Sequence, residues 1–308
     1  MTTDQEEDDQ PHPLDLPTLS TNPSYSDLLH LLKKITPPPP SWNAPIPPSE
    51  PRYSYTPWLT RLIASPLSWL TPSEADTISS LASNNLAFRA GRTALPDITR
   101  TFTVEGHEIK LFEPSWTGDS LGHKTWGASL LLARRLSSMH LISGSRYLST
   151  KAGCKCLGLG EGTGLLGIAA AKIMSWKMTL TDLPSITDNL KRNVVYNCGE
   201  SVDVKALDWM DPPDDIPLGS FQVIIASDLF YDPHHPMMVV AMLERYLARD
   251  PDARVVLEFP LRTSHTAEVV DFTSRMEGEF VLEAEGQEIG RDDWDTDIEC
   301  KWVIYRRK

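Results

Sequence analysis

Short apolar runs alternate with longer segments of helical spacing through the second half of the chain. Apolar runs of about four to eight residues are typical of strands buried on both faces of a sheet. The strand candidates are residues 154–159, 178–181, 202–207, 221–226 and 254–259. The helix candidates are residues 126–136, 165–174, 184–196, 235–247 and 266–276. This alternation predicts an α/β fold, a doubly wound parallel sheet with helices on both faces.

The two ends of this alternation carry hairpin-like patterns. Residues 280–285 and 301–306 are strand candidates joined by a charged loop, which predicts an antiparallel edge at the C-terminus. Residues 98–114 alternate around Glu105-Gly106, as the two strands of a β-hairpin would. We therefore expect the main sheet to be preceded by an accessory hairpin.

The N-terminal part has its own composition. Residues 1–57 contain thirteen of the twenty-five prolines and an acidic cluster, and such a segment cannot bury enough apolar surface to form a core. One island, residues 25–35, has leucines at helical spacing with Ser26 as a candidate cap. Helical signals dominate from residue 58 to about residue 94. The predicted division is 1–57, a largely disordered extension; 58–114, accessory helices and a hairpin; and 115–308, the main domain.

Composition narrows the class of protein and its partners. The chain of 308 residues is 41% hydrophobic and 23% charged, no apolar run reaches the ~18–20 residues that span a bilayer, and the polar N-terminus predicts no targeting signal. A net charge of −13 without a basic stripe disfavours nucleic acid as a ligand and suits a basic protein partner.

The spacing of the four cysteines does not match a metal site. It predicts reduced thiols, no bound metal and a cytoplasmic location. We expect a monomer.

Residues 154–182 form the unit around which we expect the active site. A strand candidate runs into the turn at residues 160–164 (GEGTG), a helix follows, and Asp182 closes the second strand. Glycines let a ligand approach the backbone, and a helix N-terminus presents unpaired N–H groups. A carboxylate closing the second strand can accept hydrogen bonds from a ribose. The unit predicts a nucleoside-cofactor site.

Two cofactors fit these glycines. Residues 162–167 match G-x-G-x-x-G with Asp182 twenty residues after the first glycine, as an NAD fingerprint requires. Residues 160–164, directly after the strand, instead match the turn that holds S-adenosylmethionine (AdoMet). An NAD fingerprint would end the strand at its first glycine, whereas Gly158 and Gly160 already interrupt it. The glycines alone leave both cofactors open.

Separate motifs between about residues 112 and 307 decide between them. The motifs are residues 121–129 (LGHKTWGAS), 157–167 (LGLGEGTGLLG), 179–184 (TLTDLP), 190–197 (LKRNVVYN), 207–209 (LDW) and 226–231 (ASDLFY). Together they resemble the seven-strand AdoMet-dependent methyltransferases and, among these, the family-16 protein-lysine methyltransferases. Among these motifs, LGHKTWGAS at residues 121–129 is most similar to the sequences of fungal enzymes that act on elongation factors. The resemblance implies a seven-stranded Rossmann-like sheet, AdoMet as cofactor, and a protein substrate such as a translation elongation factor.

The resemblance also implies the residues of the cofactor site. Asp182 would accept charge-assisted hydrogen bonds from the ribose, Trp209 would flank the adenine, and Trp126 would close the methionine side. Each tryptophan is also compatible with ordinary core packing. The implied cofactor-binding residues are Trp126, Gly160, Glu161, Gly162, Asp182, Trp209 and Ser227.

Two positions depart from the family. Its members usually carry an acid two residues before the first glycine of the turn, where this chain has Gly158, and a small residue where this chain has Glu161. Either the carboxylate has moved within the turn or Glu161 points to solvent. Loss of an acid that orients the cofactor would weaken its binding, so a catalytically inactive cofactor-binding scaffold stays an alternative.

The predicted catalytic residues, Asp228 and Tyr231, follow the apolar strand at 221–226, at the edge where open α/β sheets bind ligands. Asp228 would orient the incoming lysine ammonium, and Tyr231 or Phe230 would wall the lysine channel with its ring face. A lysine amine, with an ordinary pKa of about 10.4, must lose its proton before it attacks, and we expect that proton to leave through water. For the pair His234-His235, the sequence favours the start of a helix over a catalytic role.

The sequence identifies the acceptor of the methyl group less closely than it identifies the cofactor. A small molecule, an N-terminal amine or a histidine could accept a methyl group from the same cofactor. The acidic composition and the accessory N-terminus favour a protein acceptor.

Overall fold

The computed structural model describes residues 11–39, 54–91, 94–115, 121–141, 153–291 and 296–308. Contacts divide the chain into two compact units, one made of Met1–Pro40 and Ala44–Ile98, the other of Ser41–Asn43 and Thr99–Lys308. The acidic cluster predicted within the first ten residues lies outside the described residues.

The first unit is built on three helices: α1 (Tyr25–Ile35), α2 (Thr56–Ala64) and α3 (Pro72–Arg89). Leu28 and Leu32 on α1 are fully buried in an apolar cluster shared with α2 and α3. The predicted helix at 25–35 is confirmed, because its leucine spacing places one apolar face toward this cluster.

Polar contacts fix both ends of α1. Nδ2 of the buried Asn85 on α3 donates to the carbonyl of Leu32 at 3.2 Å, which satisfies one of the last carbonyls of the helix. At the other end Ser24, not the predicted Ser26, is the cap, since its Oγ accepts the N–H of Asp27 at 3.2 Å.

The segment before α1 is held by aromatic donors from later in the chain. Hydrogen bonds run from Tyr55 Oη to the Pro11 carbonyl at 2.8 Å, from Trp58 Nε1 to that of Pro17 at 3.0 Å, and from Trp69 Nε1 to that of Pro23 at 2.9 Å. The described residues 11–39 therefore belong to a packed unit. This grouping differs from the division predicted at residue 57, because most of the partners of this segment lie beyond that position.

The predicted hairpin is confirmed as β1 (Ile98–Val104) and β2 (His107–Glu113). Glu105 and Gly106 between them have φ values of 48° and 78°. Positive φ at both central residues is what a two-residue type I′ turn requires.

The outer edge of β2 is covered by side-chain amides instead of another strand. Asn197 accepts the N–H of Lys110 at 3.0 Å and donates to its carbonyl at 2.7 Å, and Asn193 does the same with Phe112 at 2.8 and 3.1 Å. The spacing of four residues places both asparagines on one side of a helix. These two residues of the LKRNVVYN motif thus have a structural role, since they satisfy backbone groups that would otherwise be unpaired.

The second unit is organised on a seven-stranded sheet in the order β5-β4-β3-β6-β7-β9-β8. Its strands are β3 (Lys155–Leu159), β4 (Lys177–Asp182), β5 (Asp203–Ala206), β6 (Val223–Ser227), β7 (Arg254–Pro260), β8 (Phe280–Arg291) and β9 (Asp297–Arg307). The first five strands in the sheet order are parallel, β9 is antiparallel to β7, and β8 is antiparallel to β9. The predicted doubly wound sheet with an antiparallel C-terminal edge is confirmed.

Helices cover both faces of this sheet. They are α4 (Gly127–Leu141), α5 (Leu165–Met174), α6 (Pro184–Cys198), α7 (His235–Tyr246) and α8 (Thr266–Glu279). Alternate residues of β3 enter separate clusters, Cys156 in one and Leu157 and Leu159 in the other. Burial on both sides explains why this strand is an apolar run instead of an alternating pattern.

The strand order reverses beside β3, since the chain adds β4 and β5 on one side and β6 and β7 on the other. Ligands of open α/β sheets bind at such a reversal, beyond the carboxyl ends of the strands. Among the described residues, none of the helices combines the length and the apolar character needed to cross a bilayer.

Candidate active site

A cavity of about 410 Å³ opens at the carboxyl edge of the parallel strands. Each of the five parallel strands contributes to its wall, with Gly160 after β3, Asp182 at the end of β4, Trp209 after β5, Ser227 at the end of β6 and Arg262 after β7. Pockets of a few hundred cubic ångströms are the usual size for a small ligand. The topology thus brings residues far apart in sequence into one site.

The turn after β3 forms one wall of the cavity with its backbone. Gly160 and Gly162 have φ values of 61° and 58°, in the left-handed region that favours glycine. A Cβ at Gly160 would lie 3.0 Å from Leu229 and 3.2 Å from the Trp209 ring. A larger residue at Gly160 would therefore close the gap between the turn and these side chains.

Glu161 folds its side chain back beneath the turn. Its Oε2 accepts the N–H of Gly167 at 3.0 Å, and its carboxyl fills the space that a Cβ at Gly158 would need. Burial raises the pKa of Glu161 to about 8, with the Gly167 hydrogen bond acting in the opposite direction. Of the two alternatives predicted for this position, the carboxyl has moved within the turn, and the absence of a side chain at Gly158 makes room for it.

Asp182 connects the end of β4 to the glycine turn. Its Oδ2 accepts the N–H of Gly162 at 2.7 Å and its Oδ1 accepts the N–H of Leu183 at 2.8 Å. Burial raises the pKa of Asp182 to about 6, and these two hydrogen bonds oppose that shift. A carboxylate offers about four acceptor positions, so two bonds leave capacity for a ligand hydroxyl.

Aromatic side chains form the rim. The Trp209 ring meets the His235 ring edge-on with centroids 5.4 Å apart, and the Tyr231 ring also meets His235 edge-on, with centroids 4.5 Å apart. Nδ1 of His235 lies 2.6 Å from the carbonyl of Leu229, and because a carbonyl only accepts, this nitrogen carries the proton. His234 is exposed and pairs with Asp232 at 2.9 Å. The predicted helix start is confirmed, and His235 also belongs to the wall.

Asp228 is held in a strained and paired position. Its φ is 54°, which is uncommon for a residue other than glycine, and its N–H donates to the carbonyl of Glu258 on β7 at 2.9 Å. Nη1 of Arg262 donates to its Oδ1 at 2.9 Å and Nη2 to its Oδ2 at 3.3 Å. The guanidinium carbon of Arg262 also lies 5.8 Å from the centre of the Trp126 ring. Asp228 and Trp126 are thus linked through one arginine.

The structure places nine of the predicted site residues around this one cavity. They are Trp126, Gly160, Glu161, Gly162, Asp182, Trp209, Ser227, Asp228 and Tyr231. Phe230, the predicted alternative to Tyr231, is instead buried against Phe259 and Phe272. The sequence analysis did not find Arg262 and gave no binding role to His235. Arg262 follows β7 as Asp228 follows β6, so its position at the carboxyl edge of the sheet was the available signal.

The residues around the cavity fit AdoMet. The turn begins at Gly160, directly after β3 ends at Leu159, which is the frame expected for AdoMet and not the later frame of an NAD fingerprint. A backbone wall that a Cβ would fill, a carboxylate at the end of the next strand and a tryptophan beside the turn suit a nucleoside.

Comparison with known proteins agrees with this geometry. Residues 104–278 match the family model described as lysine methyltransferase. Protein-lysine N-methyltransferase rrg1 of Schizosaccharomyces pombe is 36% identical over 307 residues, covering 95% of this chain and 97% of that protein. Protein-lysine N-methyltransferase EFM2 of Saccharomyces cerevisiae is 36% identical over 235 residues, covering 69% of this chain and 55% of that protein. EEF1A lysine methyltransferase 3 of Mus musculus is 28% identical over 54% of this chain and 68% of its own length.

The family match covers more than half of the chain, and the relative from fission yeast matches it almost from end to end. The predicted resemblance is confirmed, and with it the predicted class of enzyme, an AdoMet-dependent protein-lysine methyltransferase. The NAD-dependent alternative is wrong. The chain belongs to the lysine methyltransferase family.

Proposed function

We propose that this protein methylates a lysine side chain of a translation elongation factor in the cytoplasm. The observation that carries the proposal is that the glycine turn, Asp182 and Asp228 open into one cavity. The elongation factor is suggested by the relative EEF1A lysine methyltransferase 3, whose name states that substrate. The four cysteines are free thiols, which suits a reducing compartment.

The cofactor would lie over the turn that follows β3. Gly160 and Gly162 leave the backbone open to it, Asp182 accepts hydrogen bonds from its ribose, and Glu161 supports the turn from behind. The remaining wall residues assigned to it are Trp126, Trp209 and Ser227. When bound, AdoMet supplies a methyl group on a positively charged sulfur, which a neutral amine can accept without further activation.

The acceptor lysine would enter beside Asp228 and Tyr231. Asp228 is 8% exposed in its side chain, so it can direct an amine at the bottom of the entrance, and the Tyr231 ring, 42% exposed, forms the outer wall. The lysine gives its proton to water before it attacks, because a carboxylate paired with arginine is a poor base. The main work of these side chains is alignment and exclusion of water.

Transfer of a tritiated methyl group tests the proposal. The purified protein is incubated with labelled AdoMet and purified elongation factor 1A, and mass spectrometry of the labelled band locates the modified residue. We expect label on a lysine, and we expect Asp228→Ala to lower the rate by about 100-fold, the size of effect that loss of alignment produces. Label on a histidine or an N-terminal amine would favour another acceptor, and label only in small molecules would contradict a protein substrate.

Binding in the absence of turnover separates catalysis from a scaffold role. Calorimetry should detect S-adenosylhomocysteine binding to both the wild-type protein and Asp228→Ala, since Asp228 lies on the acceptor side of the cavity. A wild-type protein that binds S-adenosylhomocysteine but transfers no label to elongation factor 1A or to any protein of a cell lysate would be a scaffold.

A further inference from the structure

The carboxylate that faces the acceptor entrance already has a cation. Arg262 contacts both oxygens of Asp228, at 2.9 and 3.3 Å, in the two-point geometry that arginine forms with carboxylates. The Asp228 side chain is 8% exposed and that of Arg262 29%, so water screens this pair only partly. An incoming lysine therefore meets a nearly neutral pair and not an isolated negative charge.

The fold holds the two residues in this arrangement from both sides. Asp228 comes directly after β6, and its N–H is bonded to the carbonyl of Glu258 on the neighbouring β7. Arg262 comes two residues after β7, and the residue before it, Leu261, donates to the carbonyl of Glu299 on β9 at 2.7 Å. Because the backbone on each side is anchored to an adjacent strand, the ion pair is a built feature of the sheet edge.

The charge of the pair decides which form of the lysine the site favours. A lone buried carboxylate stabilises an ammonium ion beside it and raises the pKa of the amine, whereas a neutral ion pair does so far less. Desolvation inside a cavity then favours the uncharged amine. Only the uncharged amine has the lone pair that methyl transfer requires.

Resting on the proposed function, we propose that Arg262 is a positioning residue: by neutralising Asp228, it lets the cavity receive the acceptor lysine as the neutral amine that attacks. The ammonium gives one proton to water as it enters, and Asp228 keeps its role of directing the nitrogen. Arg262 acts through Asp228 and need not touch the reacting atoms.

Other ionisable groups surround the same space. Those that line the cavity are Lys124, Glu161, Asp182, Asp208, Tyr231 and His235. Behind the ion pair, the Cys300 thiol on β9 has its pKa raised by burial, Glu258 and Asp228 and lowered by Arg262. These groups are the same in the wild-type protein and in a variant at Arg262, so a difference between the two reports the arginine charge.

The first test counts protons without turnover. Elongation factor 1A is titrated into the protein loaded with S-adenosylhomocysteine, in buffers with different ionisation enthalpies, at pH 8. The dependence of the measured heat on the buffer gives the number of protons released on binding. We expect the wild-type protein to release more protons than Arg262→Gln, because the variant removes the positive charge of Arg262 from Asp228 and so retains the ammonium. Arg262→Lys, which keeps the charge, should restore most of the release.

The second test is the pH dependence of kcat, which reports the ionisation of groups in the complex of enzyme and acceptor. For Arg262→Gln we expect the acidic limb of the profile to move up by about one pH unit, since removing a charge at this distance shifts a neighbouring pKa by that order. For Asp228→Asn, which leaves the arginine unopposed, the limb should move down while the rate falls. A purely structural role of the pair predicts losses of rate without opposite shifts.

The outcomes separate this inference from the function on which it rests. Wild-type protein that neither binds nor methylates elongation factor 1A would overturn the proposed function and the inference with it. Wild-type protein that does both, with equal proton release and an unshifted profile in Arg262→Gln, would overturn the role of Arg262 alone.

Discussion

The two sides of the cavity are built in different ways. On the proposed cofactor side, one continuous β-turn-α-β unit supplies the glycine turn and Asp182, and backbone N–H groups within this unit bond the carboxylates of Asp182 and Glu161. On the acceptor side, Asp228 and Arg262 come from the ends of different strands and meet through their side chains. The turn and Asp182 are therefore local in sequence, whereas the Asp228–Arg262 pair is a product of the sheet.

Burial differs between the two sides as well. Asp182 is 9% exposed and the Glu161 carboxyl lies beneath the turn, whereas Tyr231 is 42% exposed. A small cofactor can be enclosed, but a lysine attached to a protein needs an open path. Mutations on the two sides should thus separate cofactor affinity from acceptor affinity.

The largest expected effect is on the cofactor side, at Asp182. Asp182→Asn should weaken S-adenosylhomocysteine binding by about 10- to 100-fold, because hydrogen bonds to a charged group contribute about 1.5–3 kcal/mol. The amide would also point a donor at the N–H of Gly162 or Leu183. Isothermal calorimetry measures the affinity, with Asp203→Asn on the exposed side of β5 as the matched control. Equal affinities in both variants would remove Asp182 from the site.

The next effect concerns Gly158, whose lack of a side chain leaves room for the Glu161 carboxyl. Gly158→Ala places a Cβ into the Glu161 carboxyl and should lower the free energy of unfolding by about 1–3 kcal/mol, the usual cost of overpacking. Urea denaturation measures the loss. Gly278→Ala on α8 is the control, since a Cβ there has no neighbour within 4 Å and should be neutral or slightly stabilising.

The double variant sharpens this test. Adding Glu161→Ala to Gly158→Ala removes the overlap, so the two changes should cost less together than the sum of the single changes. Additive losses would mean that the two positions do not share one space.

A smaller effect is expected on the acceptor side, at Tyr231. Tyr231→Ala should raise KM for the protein acceptor by about 5-fold, consistent with the loss of ~1 kcal/mol of apolar contact between the ring and the aliphatic part of the lysine, and should leave S-adenosylhomocysteine affinity unchanged. Tyr231→Phe keeps the ring and should retain most of the wild-type KM. Equal losses of cofactor and acceptor affinity in Tyr231→Ala would erase the distinction between the two sides.

A separate effect, on folding and not on ligand binding, is a pH dependence of stability from Glu161. Its pKa is raised by burial from 4.5 to about 8, so its contribution to stability is fully present below pH 4.5 and is lost as the pH rises through 8. Glu161→Gln mimics the protonated form. It should match the wild-type protein in thermal unfolding at pH 4 and exceed it by a growing margin at pH 6 and pH 9, whereas exposed Glu277→Gln should not change the result at any of these pH values. If Glu161→Gln were less stable than the wild-type protein at every pH, Glu161 would be ionised in the folded protein and the prediction would be wrong.

The sequence alone determined the sheet, the cofactor turn and the positions of most helices. Hydrophobic runs buried on both faces, such as β3 and β7, predict central strands of a sheet. The glycines of the turn predict a backbone with positive φ, because few other residues adopt it. The predicted helix at 25–35 followed from leucine spacing for the same reason. These signals are local, because they depend on residues adjacent along the chain.

Only the tertiary structure decided how the remaining pieces meet. The position of the Glu161 carboxyl depends on the empty space at Gly158, and the segment before α1 is held by the Tyr55 phenol and by the Trp58 and Trp69 indoles. The pairing of Asp228 with Arg262 required β6 and β7 to lie side by side. Such contacts join residues that are distant in sequence, and since their energy depends on geometry and burial, no pattern of residue types along the chain records them.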